Sequence, residues 1–290
     1  MFVSHSYVRC LRQGVAFSLK NMGAILLYSL PMLLLLAIVG ILSDNKFFMV
    51  LARGEEAGVV GYCSLVLFVL SVLLLQTSIV WQQHHLGASG TLPKGCSRRE
   101  SRPMLNLFLR NVSVSIVNAL FVGCVGFAMW LGAKKMFSVA KSADMPTFGW
   151  IGVGVSGVLL FLILLGLFAF LQLLWANYLY GNQRFFDTLR VTLRGTHHLG
   201  RTTALQFVQM VYALIVLTVF CLPYVLFVVM ENLAQQTLAQ GDVMSLPAYY
   251  TYLHGAALFM GVLGIAITLA LTLYPTLYNW CAIQSEAEAA

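Results

Sequence analysis

Charge is what this sequence has least of. Only 9% of its 290 residues are Asp, Glu, Lys or Arg, and 60% are apolar. A soluble globular chain has about 25% charged and about 45–50% apolar residues. So little charge cannot coat a water-facing surface, so the bilayer must act as the solvent. Six windows, 22–42, 58–80, 112–133, 148–174, 203–230 and 253–279, hold no Asp, Glu, Lys or Arg at all. A spanning helix needs about 20 apolar residues, so each window is long enough to cross. Ion-coupled pumps keep an ionisable group at membrane depth, and no span centre holds one, which argues against proton-coupled transport.

Other absences remove whole classes of chemistry. No Walker A motif occurs, so ATP coupling would need a partner. There is no H-x-x-x-H and no H-E-x-x-H. The six cysteines, Cys10, Cys63, Cys96, Cys124, Cys221 and Cys281, are scattered without a C-x-x-C, which argues against a disulfide framework. Ser64, Ser71 and Ser78 have no histidine at matching depth to act as a base. The longest loop, 81–111, leaves no room for a soluble catalytic domain. The expectation is therefore a protein with no enzymatic activity, cofactor or bound metal. The run Met22–Leu42 exceeds a signal-peptide core, and no small-x-small site follows in ILSDNKFF, so it reads as a span.

The charge that is present is placed asymmetrically. Twelve Lys and Arg fall in the N-terminal tail and in the loops at 81–111 and 175–202; five fall on the other side. The positive-inside rule then puts both termini in the cytoplasm. The net charge of +7 is an orientation signal rather than a nucleic-acid signal. Trp81, Trp175 and Trp280 fall where even-numbered spans reach the cytoplasm, and Trp130 and Trp150 flank an outer loop. Such positions suit indoles at headgroup level.

A weak repeat runs along the chain. LKN at 19–21, LRN at 109–111 and GRT at 200–202 each set a basic residue before an odd-numbered span. LQLLWANYLY at 171–180 matches LTLYPTLYNW at 271–280 in leucine and aromatic spacing. This reads as three helical hairpins, approximately 1–90, 91–181 and 182–290, within a single membrane domain. Mitochondrial carriers share that plan but need P-x-[DE]-x-x-[KR]. Here MLLLL follows Pro31 and YVLFV follows Pro223, so that function is not carried over.

The lead-ins look amphipathic. Val3, Tyr7, Leu11, Val15 and Leu19 recur every four positions, with Arg9, Arg12 and Gln13 off that stripe. Such a helix would rest in the interface plane. SRPMLNLFLR at 101–110 repeats the pattern. The sharpest case is RVTLRGTHHLGR at 190–201. Arg190, Arg194, His197 and Arg201, spaced by four, three and four, share a helix face, with Phe186, Leu189 and Leu193 largely on another. With Arg98 and Arg99 they form a basic collar suited to anionic lipid headgroups or a protein partner. The pairs His84–His85 and His197–His198, with Cys96, offer metal-ligating atoms but lack ligand spacing; His5 and His254 read as lone interfacial residues.

Inside the spans, Gln76, Asn118, Gln172, Gln206 and Gln209 are polar but uncharged. They serve either as hydrogen-bonding glue between helices or as the lining of a narrow cavity. GVGVSG at 152–157 matches a dinucleotide fingerprint in letters only, since it lies within an apolar span. Gly149, Gly152 and Ser156, and likewise Ala257, Gly261 and Gly264, form small faces for close helix packing.

FSLKNMGAILLYSLP and FFDTLRVTLRGTHHLGR, basic lead-ins before paired helices, resemble bacterial YciC-type and YesL-type membrane proteins and the membrane region of some glycerophosphodiester phosphodiesterases. The resemblance covers most of the chain in style and rests on no specific motif. It implies a bacterial inner-membrane helical bundle and transfers no catalytic residue. The expectation is an all-α polytopic protein with six transmembrane helices. Its role would be that of an accessory or structural subunit contacting anionic lipid and a membrane-protein partner. The alternative is a permease for an uncharged or amphiphilic molecule.

Overall fold

The structure, a computed structural model, describes residues 7–48, 50, 56, 58–88, 103–142, 147–181, 184–194, 198–239 and 249–289. The chain is all-helical, and no strand occurs among the described residues. In chain order the helices are α1 (Tyr7–Tyr28), α2 (Leu30–Ser43), α3 (Val59–Ala88), α4 (Met104–Ser142), α5 (Thr147–Tyr180), α6 (Phe185–Arg194), α7 (Leu199–Ala239) and α8 (Tyr249–Ala289). A π-helical turn, Asp44–Phe48, prolongs α2. Among the described residues, six stretches are long and apolar enough to span a membrane: Leu30–Phe48, Val59–Gly87, Met104–Phe127, Leu160–Tyr180, Leu199–Glu231 and Tyr252–Gln284. This is a multi-pass membrane protein.

The first span differs from its expected window. Helix α1 carries the chain to Tyr28, Ser29 leaves helical geometry, and Pro31 lies in the first turn of α2. Proline is tolerated there because first-turn N–H groups have no intrahelical acceptor. The span therefore starts at Leu30 rather than Met22 and extends past Asp44. The second expected lead-in is simply the start of α4, which begins directly after Pro103.

The chain separates into two compact units, Met1–Phe108 with Val208–Ala290, and Leu109–Phe207. In the first unit α2 and α3 are antiparallel. The Ser43 hydroxyl donates to the Ser64 carbonyl at 2.7 Å, and the Ser29 and Ser78 hydroxyls meet at 3.2 Å. Helix α1 runs antiparallel to α8: Gly14 abuts Pro275, Phe17 stacks on Tyr274 at 3.8 Å between centroids, and the Ser18 hydroxyl donates to the Ala270 carbonyl at 2.7 Å. A Cβ on Gly14 would fall 2.6 Å from the Pro275 Cα, so the two helices meet this closely only with glycine there. The docking face of α1 is thus Cys10, Gly14, Phe17, Ser18 and Ile25. Of the stripe expected in the interface plane, Leu19 is 60% exposed, Leu11 and Val15 are half-buried, and Val3 and the Tyr7 side chain lie outside the described set.

Pro275 organises this unit. It has no N–H, so the Leu271 carbonyl loses its helical donor. The Tyr212 hydroxyl of α7 fills that role at 2.9 Å. The adjacent carbonyls also recruit side chains: Ala270 accepts from Gln83 at 2.7 Å and Thr272 from Gln209 at 2.9 Å. Helices α1, α3 and α7 are therefore tied to one stretch of α8 by polar side chains in an apolar setting. The expected small face on α8 packs against α7, with Gly264 on Phe220 and Gly261 facing the Cys221 sulfur. The expected face at Gly149, Gly152 and Ser156 lies outside the residues whose side chains are described.

In the second unit α4 braces the end of α5. The Trp175 indole N–H donates to Asn111 Oδ1 at 2.8 Å, and Arg110 donates to the carbonyls of Tyr178 and Gly181 at 2.8 and 3.1 Å. The last carbonyls of a helix have no intrahelical donor, and a cation there also meets the negative end of the helix dipole. Trp175 and Trp280 are buried in protein, not exposed at headgroup level as their positions suggested. Each sits in the tightly packed end of its helix, and for Trp175 the polar partner is Asn111 instead of interfacial water. Trp130 and Trp150 lie outside the residues whose side chains are described. Cys281 is disulfide-bonded, which the scattered cysteine spacing did not indicate.

Candidate functional site

Helix α6 is the most amphipathic of the described helices, and its faces are used unequally. Thr188 and Thr192, each 1% exposed, form the buried face, with Asn177 of α5 donating to the Thr192 hydroxyl at 3.0 Å. Both threonines also return their hydroxyls to carbonyls one turn back, so the helix closes its own polar groups on the inward side. Phe186 is 81% exposed and Leu193 55%. Arg190 is exposed beside them. Leu189, between Phe186 and Leu193 on the stripe, is half-buried, so the apolar stripe is exposed chiefly at its two ends. Arg194 ends α6, with its side chain outside the described set, and Arg201 is half-buried in the first turn of α7. Arg98, Arg99 and His197 lie outside the described residues.

The five polar span residues are divided between the units. Gln76 and Gln209 belong to the first; Asn118, Gln172 and Gln206 belong to the second. Gln209 is used as glue, donating to Thr272 and to the Thr276 hydroxyl at 2.9 and 3.3 Å. The Asn118 and Gln206 carbonyl oxygens are buried and accept no hydrogen bond from the described residues. Among the histidines, His85 stacks on Trp81 at 5.5 Å, and His198 opens the turn into α7. No group of three or more His, Cys, Asp or Glu gathers among the described residues.

One cluster was not foreseen. His254 is not lone: its Nε2 lies 3.0 Å from Asp44 Oδ2, though off the line of a hydrogen bond. Tyr224 of α7 donates its hydroxyl to Asp44 Oδ1. The imidazole lies parallel to Phe227, with centroids 6.1 Å apart. Asp44 is 2% exposed and begins the π-helical turn, a local geometry frequent at functional sites. The cluster borders a cavity of about 210 Å³ whose walls include Gly40, Phe48, Phe68, Leu258, Gly261 and Ile265.

Two signals pointed here. His254 lies within the sixth apolar window, and Asp44 follows the first by less than one helical turn. Counting only uncharged runs ended the first span before Asp44 and so hid it. Compared with known proteins, the chain matches no family model, no curated protein and no solved structure.

Proposed function

We propose that this membrane protein is a non-enzymatic accessory or structural subunit of a bacterial inner membrane, with both termini cytoplasmic. Its basic face, Arg98, Arg99, Arg190, Arg194 and Arg201, would contact anionic lipid and a membrane-protein partner. The observation that carries this reading is α6: its threonine face is buried while Phe186, Leu193 and Arg190 are exposed together. A short helix with that division suits the headgroup boundary, apolar side in the acyl region and cations at the phosphates. Six spans return the chain to its starting side, in keeping with the charge asymmetry. The resemblance to YciC-type and YesL-type proteins supports the choice of membrane. At the cavity the thiol and the imidazole are set apart. Gly261, which faces the Cys221 sulfur, is seven residues from His254, about 10 Å along α8 at 1.5 Å per residue. That is too far for a thiol and its base.

The test is native mass spectrometry of protein released from mixed phosphatidylglycerol and phosphatidylethanolamine bilayers. Changing Arg190, Arg194 and Arg201 to Gln should lower retained phosphatidylglycerol several-fold, at about 1 kcal/mol per cation. Unchanged retention together with unchanged partner capture would overturn the proposal. The second reading is a permease for an uncharged or amphiphilic molecule, lined by Gln76, Asn118, Gln172, Gln206 and Gln209. The buried, donor-free oxygens of Asn118 and Gln206 favour it; the commitment of Gln209 to Thr272 weighs against it.

A further inference from the structure

We infer that the cavity beside Asp44 binds a small amphiphile with an ammonium head, an aryl or short alkyl amine, independently of the basic face. Asp44 is buried, and a buried carboxylate is costly unless paired and fully hydrogen-bonded. Its two oxygens can accept about four hydrogen bonds. Its partners are one in-line donor, the Tyr224 hydroxyl, and one imidazole nitrogen that approaches out of line. No Lys or Arg pairs with it among the described residues. Lys46, two positions on and hence off the Asp44 face, is exposed. The local field thus favours a cation in a chain that is basic overall.

The cavity sets the rest of the molecule. Phe48, Phe68, Leu258 and Ile265 give it apolar walls, and Asp44 stands at its edge. Its volume of about 210 Å³ exceeds the roughly 150 Å³ of an apolar cavity able to hold benzene. One ring or a short chain fits, with the nitrogen directed at the carboxylate. A charged N–H donor would then form the stronger class of hydrogen bond to Asp44. An anion would be repelled, and a neutral alcohol would gain only the apolar contact. Gly261 keeps one wall flat. A Cβ there would meet nothing closer than the Cys221 sulfur at 3.8 Å, so a larger side chain can be added toward the cavity.

The test is ¹⁹F NMR on the full chain in lipid nanodiscs with three probes of one shape. They are 4-fluorophenethylamine, 2-(4-fluorophenyl)ethanol and 3-(4-fluorophenyl)propanoate. The amine is expected to bind at least tenfold tighter than the alcohol, with no binding of the propanoate. Asp44→Asn, which still accepts from Tyr224, should bring the amine down to the level of the alcohol. Gly261→Leu should remove the binding of both. The probe series on the unaltered protein needs no variant, so a folding defect in either variant leaves the test intact. Propanoate binding as tightly as the amine, equal affinity for amine and alcohol, or no binding of the amine would each overturn the inference. So would amine binding that survives both substitutions, since that is partition into the bilayer.

Discussion

The segments 171–180 and 271–280 share their leucine and aromatic spacing, and both are largely buried stretches in the C-terminal halves of long helices. Among the positions at which they differ is Trp175 against Pro275, and there the neighbouring helices differ accordingly. Pro275 leaves an acceptor without a donor, and α7 supplies Tyr212. Trp175 brings a donor that needs an acceptor, and α4 supplies Asn111. Inside a bilayer, water cannot settle either account. A single residue on one helix thus dictates the polarity of the residue facing it.

The largest effect should come from the closest contact. Gly14→Leu drives a side chain into the Pro275 ring and backbone, which cannot yield as a flexible side-chain end would. Overpacking costs about 1–3 kcal/mol where neighbours can relax, and the upper end applies here. Thermal melting of the purified protein should show a fall in Tm and release of α1 to proteolysis near Lys20. An unchanged Tm would mean that α1 is not docked on α8.

Next is Asn111→Leu, which strands the Trp175 indole N–H in a buried site at about 1–3 kcal/mol. The same change made on Trp175→Phe should cost far less, because no donor remains. Equal losses in both backgrounds would show that Asn111 acts through packing alone.

The sequence makes the helices readable, but not these pairings. Six uncharged windows suffice to count spans, since the bilayer imposes a length and forbids charge. What they miss lies at the edges. The break at Ser29 is invisible because apolar residues continue on both sides of it. Asp44 and His254 gain meaning only when α2 and α8 bring them together, and Tyr224 carries no signal beyond following Pro223. The exposed face of α6 was legible because its seven-residue spacing from Phe186 to Leu193 survives in the helix. That Thr188 and Thr192 point inward was not, because threonines one turn apart look the same whether they face water or Asn177.

A third prediction turns on Pro275 itself. Tyr212→Phe removes the donor to the Leu271 carbonyl and should cost about 0.6 kcal/mol, the average for an interhelical hydrogen bond in a membrane. Pro275→Ala restores a backbone N–H to that carbonyl, so Tyr212→Phe in that background should cost nearly nothing. The difference between the two costs, read as a double-mutant cycle by reversible unfolding, isolates the proline's polar effect from its packing on Gly14. A coupling near zero would mean that Tyr212 is held by its ring and that the carbonyl tolerates standing alone.

The smallest effect separates fold from function. Phe186→Ser alters a side chain that is 81% exposed and meets the edge of its neighbour Phe185, so stability should change by no more than about 0.5 kcal/mol. On the lipid-contact proposal the same change should still lower phosphatidylglycerol retention, because α6 would lose its apolar hold on the acyl boundary. Thr192→Val is its mirror image: it deletes the acceptor for Asn177 and should lower Tm while leaving the exposed face intact. If both substitutions lower Tm and neither changes lipid retention, α6 is a packing element, and the division between its two faces has no counterpart in the membrane.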